Sequence, residues 1–221
     1  MELPRWTIGR MQNPIRGFLH GGAAVAAVAG TVFLAWAAPG WGMRIGVIVF
    51  GLAMVALYTT SSLYHTIPWR EVWKGRMQRL DHSMILVLIA GTYTPVAIAT
   101  LDGWLQWAVL AIAWGLVALG VLQHTIFPQD KQTFSMILAI SMGWLGIAIA
   151  WKLARELGWT GSGLAVGGGL VYSIGMLLLI FNRPLLWPRV FSYHEVFHIM
   201  VVTASVIHFV MVWQYVLPKG A

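Results

Sequence analysis

The stretch MRIGVIVFGLAMVALYTTSSLYH, residues 43–65, decides the fold of this chain. It carries a single Lys or Arg, Arg44, and an α-helix of this length rises about 35 Å, enough to cross a hydrocarbon core of about 30 Å. The apolar run ends in Ser61 and His65, which lie four residues apart and therefore on one face of the helix. We predict a transmembrane helix that brings two polar side chains to one surface of the membrane.

The whole chain has the composition of a membrane protein. Of its 221 residues, 59% are hydrophobic and 10% are charged, whereas about one-quarter of a soluble domain is charged. The net charge of +7 is spread over short loops and forms no continuous basic stripe, so we do not predict nucleic-acid binding. These features predict an all-α integral membrane protein made of one domain, residues 1–221.

Apolar stretches of about twenty residues recur along the chain and predict seven transmembrane helices. The predicted spans are 17–38, 43–65, 81–101, 104–124, 134–153, 162–181 and 193–216. The connections are short and contain turn residues such as Pro39, Pro128, Pro184 and Pro188.

The distribution of Lys and Arg predicts the orientation, because cytoplasmic loops carry an excess of positive charge. One side of the predicted topology has ten of these residues: Arg5, Arg10, Arg16, Arg70, Lys74, Arg76, Arg79, Lys131, Arg183 and Arg189. The other side has four: Arg44, Lys152, Arg155 and Lys219. We therefore predict a cytoplasmic N-terminus and an external C-terminus.

Five polar residues of three different spans fall at the cytoplasmic side of this topology. Ser61 and His65 end the second span, Asp81 begins the third, and His194 and His198 begin the seventh. The topology was derived from hydropathy and loop charge alone, so this convergence independently indicates a shared site. Ionisable groups within spans are costly and usually functional.

The residue types favour zinc. The chain has no cysteine, which leaves imidazole and carboxylate ligands, and three histidines supply the nitrogen ligands of a hydrolytic zinc site. We predict that His65, His194 and His198 bind the ion. Zinc activates water for hydrolysis, with Asp81 as the carboxylate that takes or orients the proton. Ser61 is expected to hydrogen-bond the water or an oxyanion, or its own helix backbone.

A second motif leaves an alternative open. Residues 194–198, HEVFH, match the H-E-x-x-H pattern of metalloproteases, in which the glutamate is the general base. Glu195 is therefore a candidate base, or a residue that positions the histidines. Intramembrane metalloproteases combine this motif with a Leu-Asp-Gly sequence, and residues 101–103 are LDG. The predicted topology places LDG on the external side, so we interpret it as a turn.

The remaining histidines are predicted to be structural. His208 lies ten residues beyond His198, or roughly 15 Å further along the helix, too far to share the ion. His20 and His124 have no partner at a suitable spacing, and His82 follows Asp81 but is expected to point elsewhere. The run Gly167–Gly169 is interpreted as a site of close helix packing, not a phosphate loop, because no strand precedes it.

Three motifs together resemble the hemolysin III branch of the progestin and adipoQ receptor family. They are Ser61-x-x-x-His65, the segment Arg79–Ser83 (RLDHS) with Ala90–Pro95 (AGTYTP), and His194-x-x-x-His198. The resemblance implies seven helices, zinc bound by the three histidines, and Asp81 holding the water on the zinc. It also implies hydrolysis of a lipid amide, a role in membrane lipid homeostasis, and a multi-pass protein of the bacterial inner (plasma) membrane.

These features leave three candidate functions for the chain. The first is a zinc-dependent hydrolase whose substrate, a membrane lipid amide or ester, enters from the bilayer. The second is a non-enzymatic membrane sensor or homeostasis protein in which zinc links the second, third and seventh helices and lipid is a ligand. A cytolysin is disfavoured, because no predicted span has the continuous polar stripe that would line a pore.

Overall fold

The computed structural model describes residues 11, 13–126, 133–187 and 190–220, and their regular structure is helical. The helices in chain order are α1 Pro14–Ala37, α2 Gly40–Thr66, α3 Glu71–Thr100, α4 Gly103–Ile126, α5 Thr133–Gly143, α6 Ala150–Ile180 and α7 Tyr193–Met211. A 3₁₀-helix, Trp144–Ile149, joins α5 to α6, and α7 continues through the π-helical turn Val212–Val216 into the 3₁₀-helix Leu217–Gly220.

Six helical stretches within the described ranges are long and apolar enough to cross a membrane. The chain is therefore an all-helical, multi-pass membrane protein, as predicted. The fifth stretch, Phe134–Ile180, is 47 residues long and covers two of the seven predicted spans. The prediction of a cytoplasmic N-terminus stays a prediction, and four of its basic residues, Arg5, Arg10, Lys131 and Arg189, lie outside the described residues, as do the turn residues Pro128 and Pro188.

The fifth stretch reverses direction at Gly158. This glycine has φ 67° and ψ 178°, a conformation that side chains disfavour, and it interrupts the helical backbone. Trp144 Nε1 donates a hydrogen bond to Ser173 Oγ at 3.0 Å across this break. In a straight helix the two residues would lie about 43 Å apart, so the chain must double back between them. The predicted loop 154–161 is thus mostly helical, with one glycine as the turn.

Helix α3 begins ten residues before the predicted third span. Hydropathy detects the part of a helix that lies in lipid, whereas residues 71–80 are polar and still form helix. Glu71 in the first turn complements the positive helix N-terminus. Arg76 and Arg79 therefore lie on the helix, and Asp81 occupies an interior turn instead of opening or capping α3.

Small residues allow α2 to pack closely against both α1 and α3. A Cβ on Gly51 would overlap Thr31 of α1, and a Cβ on Gly91 of α3 would overlap Ala53 of α2. Close backbone approach through small residues is a common way for helices to associate in lipid. This packing holds the end of α2, with Ser61 and His65, beside the part of α3 that carries Asp81.

Candidate metal centre

Three histidines from two helices form a compact, buried cluster. His65 is in the last turn of α2, and His194 and His198 are in the first turns of α7. One ring nitrogen from each lies within 4.8 Å of the other two. Their ring centroids are 4.9 to 5.4 Å apart, and His65 and His198 are almost fully buried. The four-residue spacing on α7 places both of its imidazoles on the face that meets His65.

The N-terminus of α7 is fixed by Glu195. The Ser192 backbone N–H donates to Glu195 Oε2 at 2.8 Å, as part of a capping box that starts the helix. Arg16 Nε of α1 donates to Glu195 Oε1 at 2.6 Å in a buried ion pair. Both carboxylate oxygens therefore bind groups that hold α7 in place. This geometry favours the positioning role for Glu195 over the role of general base.

Asp81 and Ser61 line one cavity together with His194 and His198. Both residues are buried, and the Ser61 hydroxyl faces the Asp81 carboxyl group at hydrogen-bonding range. The five residues that the sequence analysis assigned to one site therefore lie together. Asp81 is a carboxylate in the cavity that His194 and His198 line, and Ser61 is placed to orient it.

The cluster has the properties of a cation site. His198 Nδ1 is buried and has no hydrogen-bond partner among the described residues. A buried polar atom without a partner is costly. A metal ion accepts lone pairs from neutral imidazoles, and His₃ is a common donor set for catalytic zinc. The three histidines thus form a group that could bind a metal.

The LDG segment lies far from this cluster. Leu101 and Asp102 form the turn between α3 and α4, and Gly103 adopts φ 55° there. Asp102 is separated from Asp81 by about 31 Å along α3, and its carboxylate is exposed and pairs with Lys152 Nζ at 3.2 Å. The interpretation of this segment as a turn is confirmed.

Two histidines of the site cavity, His20 and His82, were missed. His20 of α1 was predicted to be structural, yet its ring centroid lies 4.1 Å from that of His198 and it lines the cavity with Asp81. A signal was available: Arg16 and His20 are four residues apart at the predicted cytoplasmic end of a span, with the same spacing as Ser61 and His65. That spacing predicts one helix face directed at the site.

His124 belongs to a separate network. Ser83 Oγ donates to the Arg79 carbonyl at 2.8 Å and accepts from His124 Nδ1, also at 2.8 Å. In that tautomer His124 Nε2 accepts from the Ser135 hydroxyl. His82 lies next to this network, 6.4 Å from His124 between centroids, and also lines the cavity. His124 is thus held by protein hydroxyl groups on both sides of its ring.

Similarity to known proteins covers nearly the whole chain. A family model described as Haemolysin-III related matches residues 9–209. Hemolysin-3 of Bacillus cereus is 35% identical over 205 residues, which cover 91% of this chain and 90% of the relative. The Hemolysin-3 homolog of Bacillus subtilis (strain 168) is 32% identical over 199 residues, covering 89% of this chain and 90% of the relative. The human Monocyte to macrophage differentiation factor is 21% identical over 209 residues, covering 90% of this chain and 82% of the relative. The family model spans all three histidines of the cluster.

Proposed function

This chain belongs to the haemolysin-III related family, a branch of the progestin and adipoQ receptor family, and on that premise we propose that it is a zinc-dependent hydrolase of lipid amides or esters. The observation that carries the proposal is the imidazole cluster of His65, His194 and His198, two of whose members, His194 and His198, line one cavity with Asp81 and Ser61. The protein would serve membrane lipid homeostasis as a multi-pass protein of the bacterial inner membrane.

The roles of the residues follow from their positions. His65, His194 and His198 would hold the zinc ion, which when bound supplies a Lewis acid and an activated water molecule for hydrolysis. Asp81 takes the proton from the attacking water and returns it to the leaving group. Ser61 orients the Asp81 carboxyl group through the contact between their side chains. Glu195 holds α7, which supports hydrolysis through Asp81 over a protease mechanism with Glu195 as base.

A larger apolar cavity supports a lipid substrate. It adjoins the site cavity, and six residues line both: Leu57, Ile85, Ala139, Met176, Phe197 and Val201. Its walls are mostly aliphatic and aromatic side chains of α3, α5, α6 and α7. An acyl chain in this cavity would bring its carbonyl group toward Asp81 and the imidazoles, with its apolar length against apolar side chains.

Seven crossings fit this function. The reversal at Gly158 supports two crossings by the stretch Phe134–Ile180, which with the other five stretches makes seven. A cytoplasmic N-terminus is then supported by the excess of basic residues on that side. The cluster lies near the inner face, where a lipid from the inner leaflet can reach it.

The test is hydrolysis by the purified protein in nanodiscs, with zinc or with a chelator, on a panel of ceramides and phospholipids. We expect chelator-sensitive release of fatty acid from at least one lipid. Asp81→Asn should keep zinc and lose about 10²- to 10⁴-fold in turnover, the usual contribution of a general base. Asp102→Asn is the matched control, since Asp102 is exposed and pairs with Lys152. A zinc-replete protein that is inert toward every lipid would refute the hydrolase.

A non-enzymatic sensor is the second candidate, and the packing of α7 favours it. Helix α7 packs mainly on α6, whereas α2 packs between α1 and α3. An ion shared by His65 and the two histidines of α7 would link these two parts of the molecule, and its binding energy would add to the stability of the fold. In that case Asp81→Asn would leave every property of the zinc-loaded protein unchanged.

A further inference from the structure

The apolar cavity contains a second polar group of residues, distant from the metal cluster. His208 of α7 lies ten residues beyond His198, or about 15 Å along the helix, and it lines this cavity. Its Nε2 donates to the Ala165 carbonyl of α6 at 3.2 Å. Gly168 permits this contact, because a Cβ there would occupy the place of the His208 ring. The fold therefore fixes the position of this imidazole in an apolar region, through the hydrogen bond to Ala165 and the space left by Gly168.

Two buried polar atoms in this part of the cavity lack partners among the described residues. They are His208 Nδ1 and Ser162 Oγ, and Ser162 lies one helical turn before Ala165. Two other hydroxyl groups that line this cavity have partners: Tyr172 and Ser205 hydrogen-bond each other at 2.8 Å, and Ser173 binds Trp144 and the Gly169 carbonyl. Buried polar atoms without partners are rare and need an explanation.

The hydrogen bond of His208 defines what the site can bind. A neutral imidazole that donates from Nε2 has only a lone pair at Nδ1, so Nδ1 accepts a hydrogen bond from a ligand. Ser162 can donate or accept. A hydroxyl group matches both atoms, whereas a methylene group matches neither and leaves them desolvated.

We propose that His208 and Ser162 form a subsite for a hydroxyl group on the acyl chain of the bound lipid. This inference rests on the proposed function in taking the cavity to hold an acyl chain. With C–C bonds of about 1.5 Å, an extended chain advances roughly 1.25 Å per carbon, so 15 Å corresponds to about a dozen carbons from the carbonyl group. The protein would thus select lipids whose acyl chain is hydroxylated far from the carbonyl group.

The test measures binding and requires no hydrolysis. Stearic acid, 2-hydroxystearic acid and 12-hydroxystearic acid compete with radiolabelled stearic acid for the purified protein in nanodiscs. We expect 12-hydroxystearic acid to bind about tenfold more tightly than the other two, the effect of one well-placed hydrogen bond. Equal affinities for the three acids in the wild-type protein would overturn the proposal, while leaving the hydrolase intact.

Variants locate the preference in the subsite. His208→Gln keeps an amide N–H to donate to Ala165 and removes the acceptor at Nδ1, and Ser162→Ala removes a single hydroxyl. Each should reduce the preference to less than about threefold. Ser173→Ala is the matched control, because Ser173 lines the same cavity with its hydroxyl already bonded, and it should keep the full preference. A preference that survives in both subsite variants would contradict the assignment. A preference in a protein that hydrolyses nothing would refute only the hydrolase.

Discussion

The metal cluster and the His124 network are both built on histidine, but the ring nitrogens have different partners in the two groups. His124 has a hydroxyl partner for each ring nitrogen: it donates to Ser83 and accepts from Ser135, and Ser83 in turn donates to Arg79. In the cluster the imidazoles of His65, His194 and His198 face one another, and His198 Nδ1 has no hydrogen-bond partner among the described residues. The first arrangement is complete as protein alone, whereas the second leaves a ring nitrogen that a cation could bind. The partners of the ring nitrogens therefore distinguish these two groups of histidines.

The largest expected effect of this difference is on metal content. His194→Ala removes one of three ligands and should lower zinc from about one ion per chain to nearly none, because two imidazoles hold zinc weakly. His124→Gln is the matched control and should keep the ion, since His124 is held by hydroxyl groups. Metal analysis of the monodisperse fraction of each variant measures this. Equal zinc in His194→Ala and the wild-type protein would eliminate the proposed centre.

A smaller effect is expected from Glu195, which acts on the cluster through α7. Glu195→Gln removes the charge that pairs with Arg16 but keeps an oxygen for the Ser192 N–H. Outer partners of metal ligands typically contribute 10- to 100-fold in affinity, so we expect zinc to bind about that much more weakly. Competition with a chromogenic chelator gives the affinity. Glu156→Gln is the control, because the pair of Glu156 with Lys219 is solvent-exposed, at 4.0 Å. An unchanged zinc affinity in Glu195→Gln would show that the ion pair does not position the ligands.

The sequence was sufficient to predict five of the residues that meet at the candidate site, though not His20 or His82. Helical periodicity paired Ser61 with His65 and His194 with His198, and the topology brought Asp81 to the same depth. These inferences depend on local spacing and on membrane solvation, both of which can be read from one chain. The family resemblance that the same residues carry is confirmed by the comparisons.

Features that depend on packing between distant segments were not predictable. The ion pair of Arg16 with Glu195 joins residues 179 positions apart, and no local pattern indicates it. The early start of α3 was not predicted, because hydropathy measures the preference of a segment for lipid and not the extent of a helix. The reversal at Gly158 rests on one backbone conformation within a continuous apolar run. His20 could have been identified from its spacing to Arg16, but only a structure shows its contact with His198.

The smallest expected effect concerns the hydrogen bonds of His124. It tests whether this histidine stabilises the fold without affecting the metal cluster. Ser135→Ala removes the donor to His124 Nε2 and leaves the bond from Nδ1 to Ser83 in place. A buried hydrogen bond contributes a net of about 1 kcal/mol, so the variant should unfold at a slightly lower temperature, with zinc content and zinc affinity unchanged. Ser141→Ala, at an exposed position of the same helix, controls for a general effect of the substitution.

Loss of zinc in Ser135→Ala would mean that the two groups of histidines are coupled, and the distinction between a satisfied histidine and a ligand would then fail in this protein. Unchanged zinc with a modest loss of stability would show that His124 serves the fold alone, as its complete set of hydrogen bonds implies.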